Sequence, residues 1–220
     1  MLTTSRMNKL VNQLVYGMPN RYGNLVKEIR RHKSRRILEI GTWNGQHSSL
    51  MISAALENTS PSQVEFYGFD LFEEAYGNEI LLPGEATKQP PNLEQVKISL
   101  QPYKDLGVKV FLHKGNTAKI LPPLLSSLSF MDFVFIDGGH SYEIVKNDWD
   151  CICQIINPTS VVIFDDYLNQ EGVNIMGFGI NRLIDELDRH IYRVSFLEPV
   201  DRFKKDWGVM ETRFVCVRLM

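Results

Sequence analysis

Disulfide chemistry has almost nothing to work with in this sequence. Three cysteines among 220 residues form an odd set with no framework spacing. Cys151 and Cys153 stand two apart, so on a helix they point in different directions and make a poor metal pair. They are expected to be reduced packing residues, which fits a reducing, cytoplasmic compartment. Long apolar runs are missing too. No uninterrupted segment reaches the ~18 residues of a membrane span. The opening stretch MLTTSRMNKLVNQLVYGM is broken by polar residues every few positions, unlike a signal-peptide core. An excess of one charge is also lacking. With 24 Lys and Arg against 26 Asp and Glu the net charge is −2, too little for a field that draws in nucleic acid. Basic residues do cluster in KEIRRHKSRR, residues 27–36, where they read as the solvated end of a helix facing the negative pole of its dipole. Internal repeats and low-complexity tracts are absent.

What the chain does have is a core. Hydrophobic residues make up 44% and charged residues 23%, enough to bury one α/β domain and too apolar for disorder. Residues 5–33 read as helical with a break at Met18-Pro19-Asn20. After them, short apolar runs alternate with helical spacing: strands at RRILEIG, QVEFYGFDLF, VKVFLHKG, MDFVFIDGG and SVVIFDD, separated by helices. Asn92 is placed to cap one of these helices and Gly107 to stop it. The runs are nearly continuous rather than alternating, the mark of a parallel sheet covered on both faces. YRVSFLEPV and TRFVCVRLM close the chain with no helix between them, which predicts an antiparallel hairpin at one edge. The expectation is an α/β fold with a seven-stranded, mostly parallel sheet. Residues 1–34 form a helical extension, a substrate cap or an oligomer contact, and residues 35–220 form the main domain. The irregular stretch 73–91 reads as a lid or substrate loop.

The chemistry gathers where strands end. LEIGTWNGQHSS holds Glu39-x-Gly41-x-x-x-Gly45 at a strand-to-helix turn, where glycines admit positive φ and a close ligand. It is neither G-x-G-x-x-G nor a P-loop, so a pyrophosphate has a poor seat there. The second strand ends on Asp70, placed to accept hydrogen bonds from two ribose hydroxyls. HKGNTAK is a third such turn, with Asn116 able to face an adenine ring. Three strand ends in this order predict a nucleoside-bearing cofactor.

These residues resemble class I S-adenosylmethionine-dependent methyltransferases over roughly residues 35–220. EIGTWNG is similar to their first motif, GFD to the second, GNT to the adenine-side motif and FIDGGHSYE to the fourth. The resemblance implies a Rossmann-like sheet with S-adenosylmethionine lined by Glu39, Gly41, Thr42, Trp43 and Gly45, then Asp70, then Asn116 and Thr117, and finally Asp137. Within that superfamily the IDGGHSYE…IFDDY pair is similar to a small-molecule O-methyltransferase branch of antibiotic-sugar and catechol-type enzymes, several of which use magnesium.

Asp137 ends the fourth strand, and Asp165 and Asp166 end the fifth. Three converging carboxylates would repel one another unless a cation joined them. Oxygen ligands without thiolate suit Mg²⁺, with Ca²⁺ or Mn²⁺ as substitutes. Asp137, Asp165 and Asp166 are therefore the expected metal ligands. His140 is the first choice of catalytic base and Asp137 the second, acting on a small hydroxylated acceptor, a sugar or an aromatic ring. Gly138 and Gly139 are expected to clear space for cofactor and substrate, and Ser141 to cap the following helix. His47 reads as a bystander, and Tyr16, Tyr22, Phe72 and Tyr76 as lining for the acceptor. Nucleic acid and membrane partners are not expected, and a homo-oligomer is open. Two rivals stand beside this reading: a non-catalytic cofactor-binding module, and a hydroxylase-like relative on the same fold. The chain offers no 2-His-1-carboxylate pattern for the latter.

Overall fold

The computed structural model of the chain describes residues 18–75, 91–170, 179–205 and 208–220. After a 3₁₀ turn at Asn20–Tyr22, helix α1 covers Gly23–His32. Strand β1 (Arg36–Ile40), helix α2 (Gln46–Leu56), strand β2 (Glu65–Asp70), helix α3 (Leu93–Asp105) and strand β3 (Lys109–Lys114) follow. Then come the short helix α4 (Thr117–Ile120), strand β4 (Phe133–Ile136), helix α5 (Tyr142–Ile152), strand β5 (Val161–Gln170) and helix α6 (Gly179–Glu186). Strands β6 (Tyr192–Phe196), β7 (Asp201–Lys205) and β8 (Gly208–Leu219) end the chain.

The sheet runs β3-β2-β1-β4-β5-β8-β6, with β7 paired onto β8. The first five strands are parallel and the rest antiparallel. This is the expected α/β architecture, with one addition. The polar loop between the last two strands itself supplies β7, which makes eight strands in place of seven. Short polar runs such as Asp201–Lys205 carry no apolar signal, and β7 forms because β8 is long enough to pair two partners along its length.

Alternation along each strand divides the core into two layers. Ile37, Phe133, Phe135, Val161, Ile163 and Phe214 face one way, against α1, α2 and α3. Leu38, Val134, Ile136, Val162, Phe164 and Val215 face the other, against α5 and α6. Each fully buried phenylalanine contributes about 1.5–3 kcal/mol from area removed from water. Leu25, Val26 and Ile29 of α1 lie in the first layer, so this length of the N-terminal extension is packed onto the sheet. Its last turn carries Arg30, Arg31 and His32, and Arg30 pairs with Glu57. Asn92 caps α3 through the Glu94 N–H at 2.7 Å, and Gln95 accepts in return from the Asn92 N–H. Among the described residues no helix is long and apolar enough to cross a membrane.

One core group works against the fold at neutral pH. Asp148 of α5 is buried, and burial pushes its carboxyl up to about 6, opposed by hydrogen bonds from Thr117 and Asn147. The folded value lies above the ~3.9 of an unfolded chain, so this group favours the fold most below about pH 4, and that contribution is lost as pH rises through about 6. Asp148→Asn is therefore expected to raise stability by up to about 3 kcal/mol at pH 8 and by almost nothing at pH 3, where the native carboxyl is already protonated. Urea unfolding at both pH values checks this. An equal gain at both, or a loss at pH 8, would refute the assignment.

Candidate active site

The strand order reverses between β1 and β4, and beyond the ends of these two strands lies the place where an open α/β sheet holds its ligand cleft. The first turn beyond β1 begins at Gly41, whose φ is 91°. A Cβ on Gly41 would lie 1.9 Å from the backbone oxygen of Asp137, so glycine is demanded by the neighbouring strand. Gly45, at φ 75°, starts α2, and a Cβ there would press on Val96 and Ser99 of α3 at 3.1 and 3.2 Å. Both glycines thus serve protein packing before any ligand arrives. The same correction applies to Gly138 and Gly139. Added methyls would meet Ile40 at 3.0 Å and Ile144 at 2.9 Å, so the space they clear is filled by the protein's own side chains.

Asp70 stands beside this turn. One of its oxygens accepts from the Trp43 N–H at 2.7 Å and the other from the Phe72 N–H at 2.6 Å. Burial raises its pKa, and the two N–H bonds pull it back. Each oxygen can accept one further hydrogen bond. Trp43 is held at φ 45° and is 38% exposed. Glu39 is fully buried and takes a hydrogen bond from Ser48. Burial lifts its carboxyl well above the usual range, against the Ser48 bond. Among the described residues, Glu39 Oε1 and Thr42 Oγ1 have no hydrogen-bond partner. Two buried polar atoms left open beside the first turn fit a bound group that carries its own donors. At the third turn the Asn116 oxygen is already used, capping α4 through the Ala118 N–H at 2.9 Å. Thr117 is the first residue of that helix.

The acidic cluster lies across the cleft. In the β4–β5 register Ile136 faces Phe164, so Asp137 comes beside Asp165. Two neighbouring residues of a strand normally point to opposite faces, and Asp165 and Asp166 do not. The β5–β8 register slips between Phe164 and Tyr167, so the two aspartates together oppose Phe214 alone. This is a β-bulge, with Asp166 at φ 54°. It turns both carboxylates into one site.

Arg21 lies among them, on the 3₁₀ turn that precedes α1. Its Nε donates to Asp165 Oδ1 at 2.8 Å and its Nη2 to Asp165 Oδ2 at 3.0 Å. Nη1 reaches Asp201 of β7 at 3.0 Å, and Nη2 lies 3.5 Å from Asp166. Asp201 also accepts from the Asn20 and Arg21 N–H groups, which anchors the turn. The Tyr22 hydroxyl donates to Asp165 Oδ2 at 2.8 Å, while its ring stacks on His47 with centroids 4.1 Å apart. His47 Nδ1 is 3.7 Å from Asp137, so it sits in the cluster and not apart from it. His140 Nε2 bonds Asp166 Oδ2 at 2.9 Å, and Thr212 donates to Asp166 Oδ1 at 3.1 Å. The His140 carbonyl accepts from the Gly179 N–H at 2.9 Å, so the start of α6 steadies its backbone.

The charges respond to this packing. Burial drives Asp137 well above the usual carboxylate range, and the charges of Asp165 and Asp166 add to it. Asp165 is pushed up to about 6 by burial and Asp166, with Arg21 opposing. Burial would raise Asp166 as well, but the His140 hydrogen bond and charge and then Arg21 outweigh it and hold Asp166 low. Tyr22 is raised by burial and then by Asp137 and Asp165, so it remains a donor.

The proposed divalent ion fails a direct fit test at Asp165. Oδ1 already accepts from Arg21 and from the Asp166 N–H at 2.6 Å, and Oδ2 from Arg21 and Tyr22. Four donors fill its two oxygens, and its side chain is 1% exposed. Among the described residues no group of three or more His, Cys, Asp or Glu side chains is arranged to hold a metal. Phe72, expected to shape the acceptor pocket, is instead fully buried in the core. Tyr16, Tyr76 and residues 76–90 of the expected lid lie outside the described residues. Arg21, Asp201 and Thr212 escaped the sequence reading. The "NRY" turn carries no motif, and Asp201 sits in a stretch read as polar loop.

The fold has its counterparts. A family model described as a methyltransferase domain matches residues 38–167. An O-methyltransferase from Bacillus cereus, solved in complex with SAH, has a TM-score of 0.63 and 14% identity, covering 99% of this chain and 90% of that one. The O-methyltransferase TomG from Streptomyces achromogenes, involved in tomaymycin synthesis and solved with SAM, gives 0.60 and 16% over the full length of both chains. An rRNA methylase from Streptococcus thermophilus gives 0.59 and 10%, covering 92% and 98%. An uncharacterized protein of Acanthamoeba polyphaga mimivirus is 24% identical over 110 residues, 46% of this chain. The match spans half the length of that curated relative.

Proposed function

The chain belongs to the methyltransferase-domain family, and on that premise we propose that it moves a methyl group from S-adenosylmethionine to the hydroxyl oxygen of a small acceptor. The observation that carries the reading is a pair of half-sites at the ends of the two strands that flank β1. Asp70 offers two oriented oxygens at one strand end, and His140 is hydrogen-bonded to Asp166 at another.

Asp70 would take the ribose hydroxyls, with Trp43 beside them. Asn116 and Thr117 would flank the adenine. Glu39 Oε1 and Thr42 Oγ1 would meet the amino-acid end, whose ammonium suits a buried acceptor lacking a partner. When bound, S-adenosylmethionine supplies a methyl group already activated on a sulfonium. Asp137, one-fifth exposed beyond the end of β4, is raised by burial and would ionise against that cation once it is bound. The protein's remaining tasks are to align the acceptor oxygen and remove its proton. Alignment contributes about 7–11 kcal/mol when the geometry is good. His140 is the base, taking the proton at the ring nitrogen that does not face Asp166. Asp166, held below the usual carboxylate range, stays ionised and fixes the ring. The metal assistance expected from the sequence is not part of this scheme, because Asp165 has no lone pair left for it.

A small acceptor is favoured over nucleic acid by the charge of the cleft. Asp166, held ionised, and the net charge of −2 would repel a phosphate backbone. The test is calorimetry with S-adenosylmethionine and its demethylated product, followed by transfer of a labelled methyl to panels of sugars, phenols and RNA. Saturable binding of both nucleosides and label in a hydroxyl compound is expected. No binding of either nucleoside would end the proposal, and label in RNA alone would replace the acceptor class.

A further inference from the structure

A cluster of buried carboxylates has to be neutralised by something, and here the agent is part of the chain. Each of the three guanidinium nitrogens of Arg21 faces an aspartate: Nε faces Asp165, Nη1 Asp201, and Nη2 both Asp165 and Asp166. The side chain is 7% exposed. Its charged plane lies 4.7 Å from the Tyr22 ring centre and 5.6 Å from that of Phe214, which holds it from the apolar side. Burial works against its charge, yet the charge and hydrogen bond of Asp165, joined by Tyr22 and Asp166, together outweigh it and Arg21 stays protonated.

From this geometry we infer that Arg21 is the resident cation of the site, standing where the sequence pattern suggested a divalent ion, and that methyl transfer proceeds without one. A guanidinium matches a carboxylate with two parallel N–H bonds, which a spherical ion does not need and cannot replace while the arginine is there. The anchoring is also one-sided. Asp201 clamps the backbone of the turn as well as the guanidinium, so the cation is delivered by the fold itself. Arg21, turned to Asp165, Asp166 and Asp201, is not placed to take two oxygens of an acceptor as a metal would. The acceptor class is therefore a single hydroxyl placed by His140 and Asp137, with no requirement for a vicinal diol.

The inference rests on the methyl-transfer reading for its chemistry, but its test does not. Mn²⁺ uptake is measured on the full chain by electron paramagnetic resonance with neither donor nor acceptor present, and unfolding midpoints are taken with EDTA or millimolar Mg²⁺. The wild type should take up no stoichiometric Mn²⁺, and its midpoint should ignore both additives. Arg21→Met keeps an apolar stem and removes the charge. Its midpoint should fall by several degrees and recover when Mg²⁺ or Mn²⁺ is added, since an outside ion then binds the folded state. Arg21→Lys keeps the charge without the fork and should resist Mn²⁺ uptake like the wild type. Stoichiometric Mn²⁺ binding by the wild type would overturn the inference, as would an Arg21→Met variant that folds yet ignores the ion. If Arg21→Met does not fold, the wild-type titration decides alone. Should no acceptor ever be methylated, the methyl-transfer reading fails while the titration still stands on its own.

Discussion

Replacing His140 with alanine is expected to lower turnover by about 10²–10⁴-fold while leaving S-adenosylmethionine affinity unchanged. The size follows from what a positioned base contributes to a hydroxyl that is a weak nucleophile until its proton leaves. The selectivity follows from placement. His140 lies beyond the end of β4, 2.9 Å from Asp166, while Asp70 and the first turn lie at the ends of β2 and β1. Its support is threefold: Asp166 holds the ring, Thr212 and Arg21 hold Asp166, and the Gly179 N–H holds the His140 carbonyl. Steady-state kinetics with a productive acceptor, together with calorimetry for the donor, checks both halves. Turnover within twofold of the wild type would remove His140 from the chemistry. A parallel loss of donor affinity would reassign it to binding.

Asp70→Ala should do the reverse, weakening S-adenosylmethionine and its product alike by about 10²–10⁴-fold. Hydrogen bonds to a charged group contribute about 1.5–3 kcal/mol each, and two ribose hydroxyls would be lost together. Asp70 is pre-set for this task, because the Trp43 and Phe72 N–H groups fix one oxygen each and leave each able to accept one bond more. The same bonds organise the turn, so the thermal midpoint must be followed in parallel. Asp70→Asn is the milder companion. It keeps the shape but sets an amide against one of the two N–H donors, and should fall between wild type and alanine. Calorimetry decides. A Kd that moves less than threefold in a folded Asp70→Ala protein would take Asp70 out of the cofactor cradle.

The two substitutions separate what the site does from how it is built, and the same division runs through the sequence. Strand ends were legible because a parallel strand buried on both faces is a largely apolar run, and the glycine or polar residue that follows its last apolar residue marks its C-terminal tip. Ile40 before Gly41, Phe69 before Asp70 and Ile136 before Asp137 all obey this. Helix caps were legible for a similar local reason, since Asn92 and Ser141 bond N–H groups only two or three residues away. Arg21 was not legible. Its partners Asp165 and Asp201 lie 144 and 180 residues away, and nothing local marks which of many arginines will be brought to a given aspartate. The glycines divide the same way. Their occurrence at turns was plain, but not that Asp137, Val96, Ile40 and Ile144 would fill the space beside them.

By itself the sequence determined the layered α/β sheet, the order of its strands' chemical tips, and the meeting of Asp137 with the Asp165-Asp166 pair. These depend on periodicity and on the fixed direction of parallel strands, both short-range rules. Tertiary structure alone decided which positive group neutralises that meeting point. A bulge at Asp166 turned two adjacent carboxylates into one site, and a turn from the far end of the chain brought a guanidinium to them. Local propensity carries no information about which distant charge will satisfy a buried one, because Coulomb attraction acts through space and is indifferent to position along the chain.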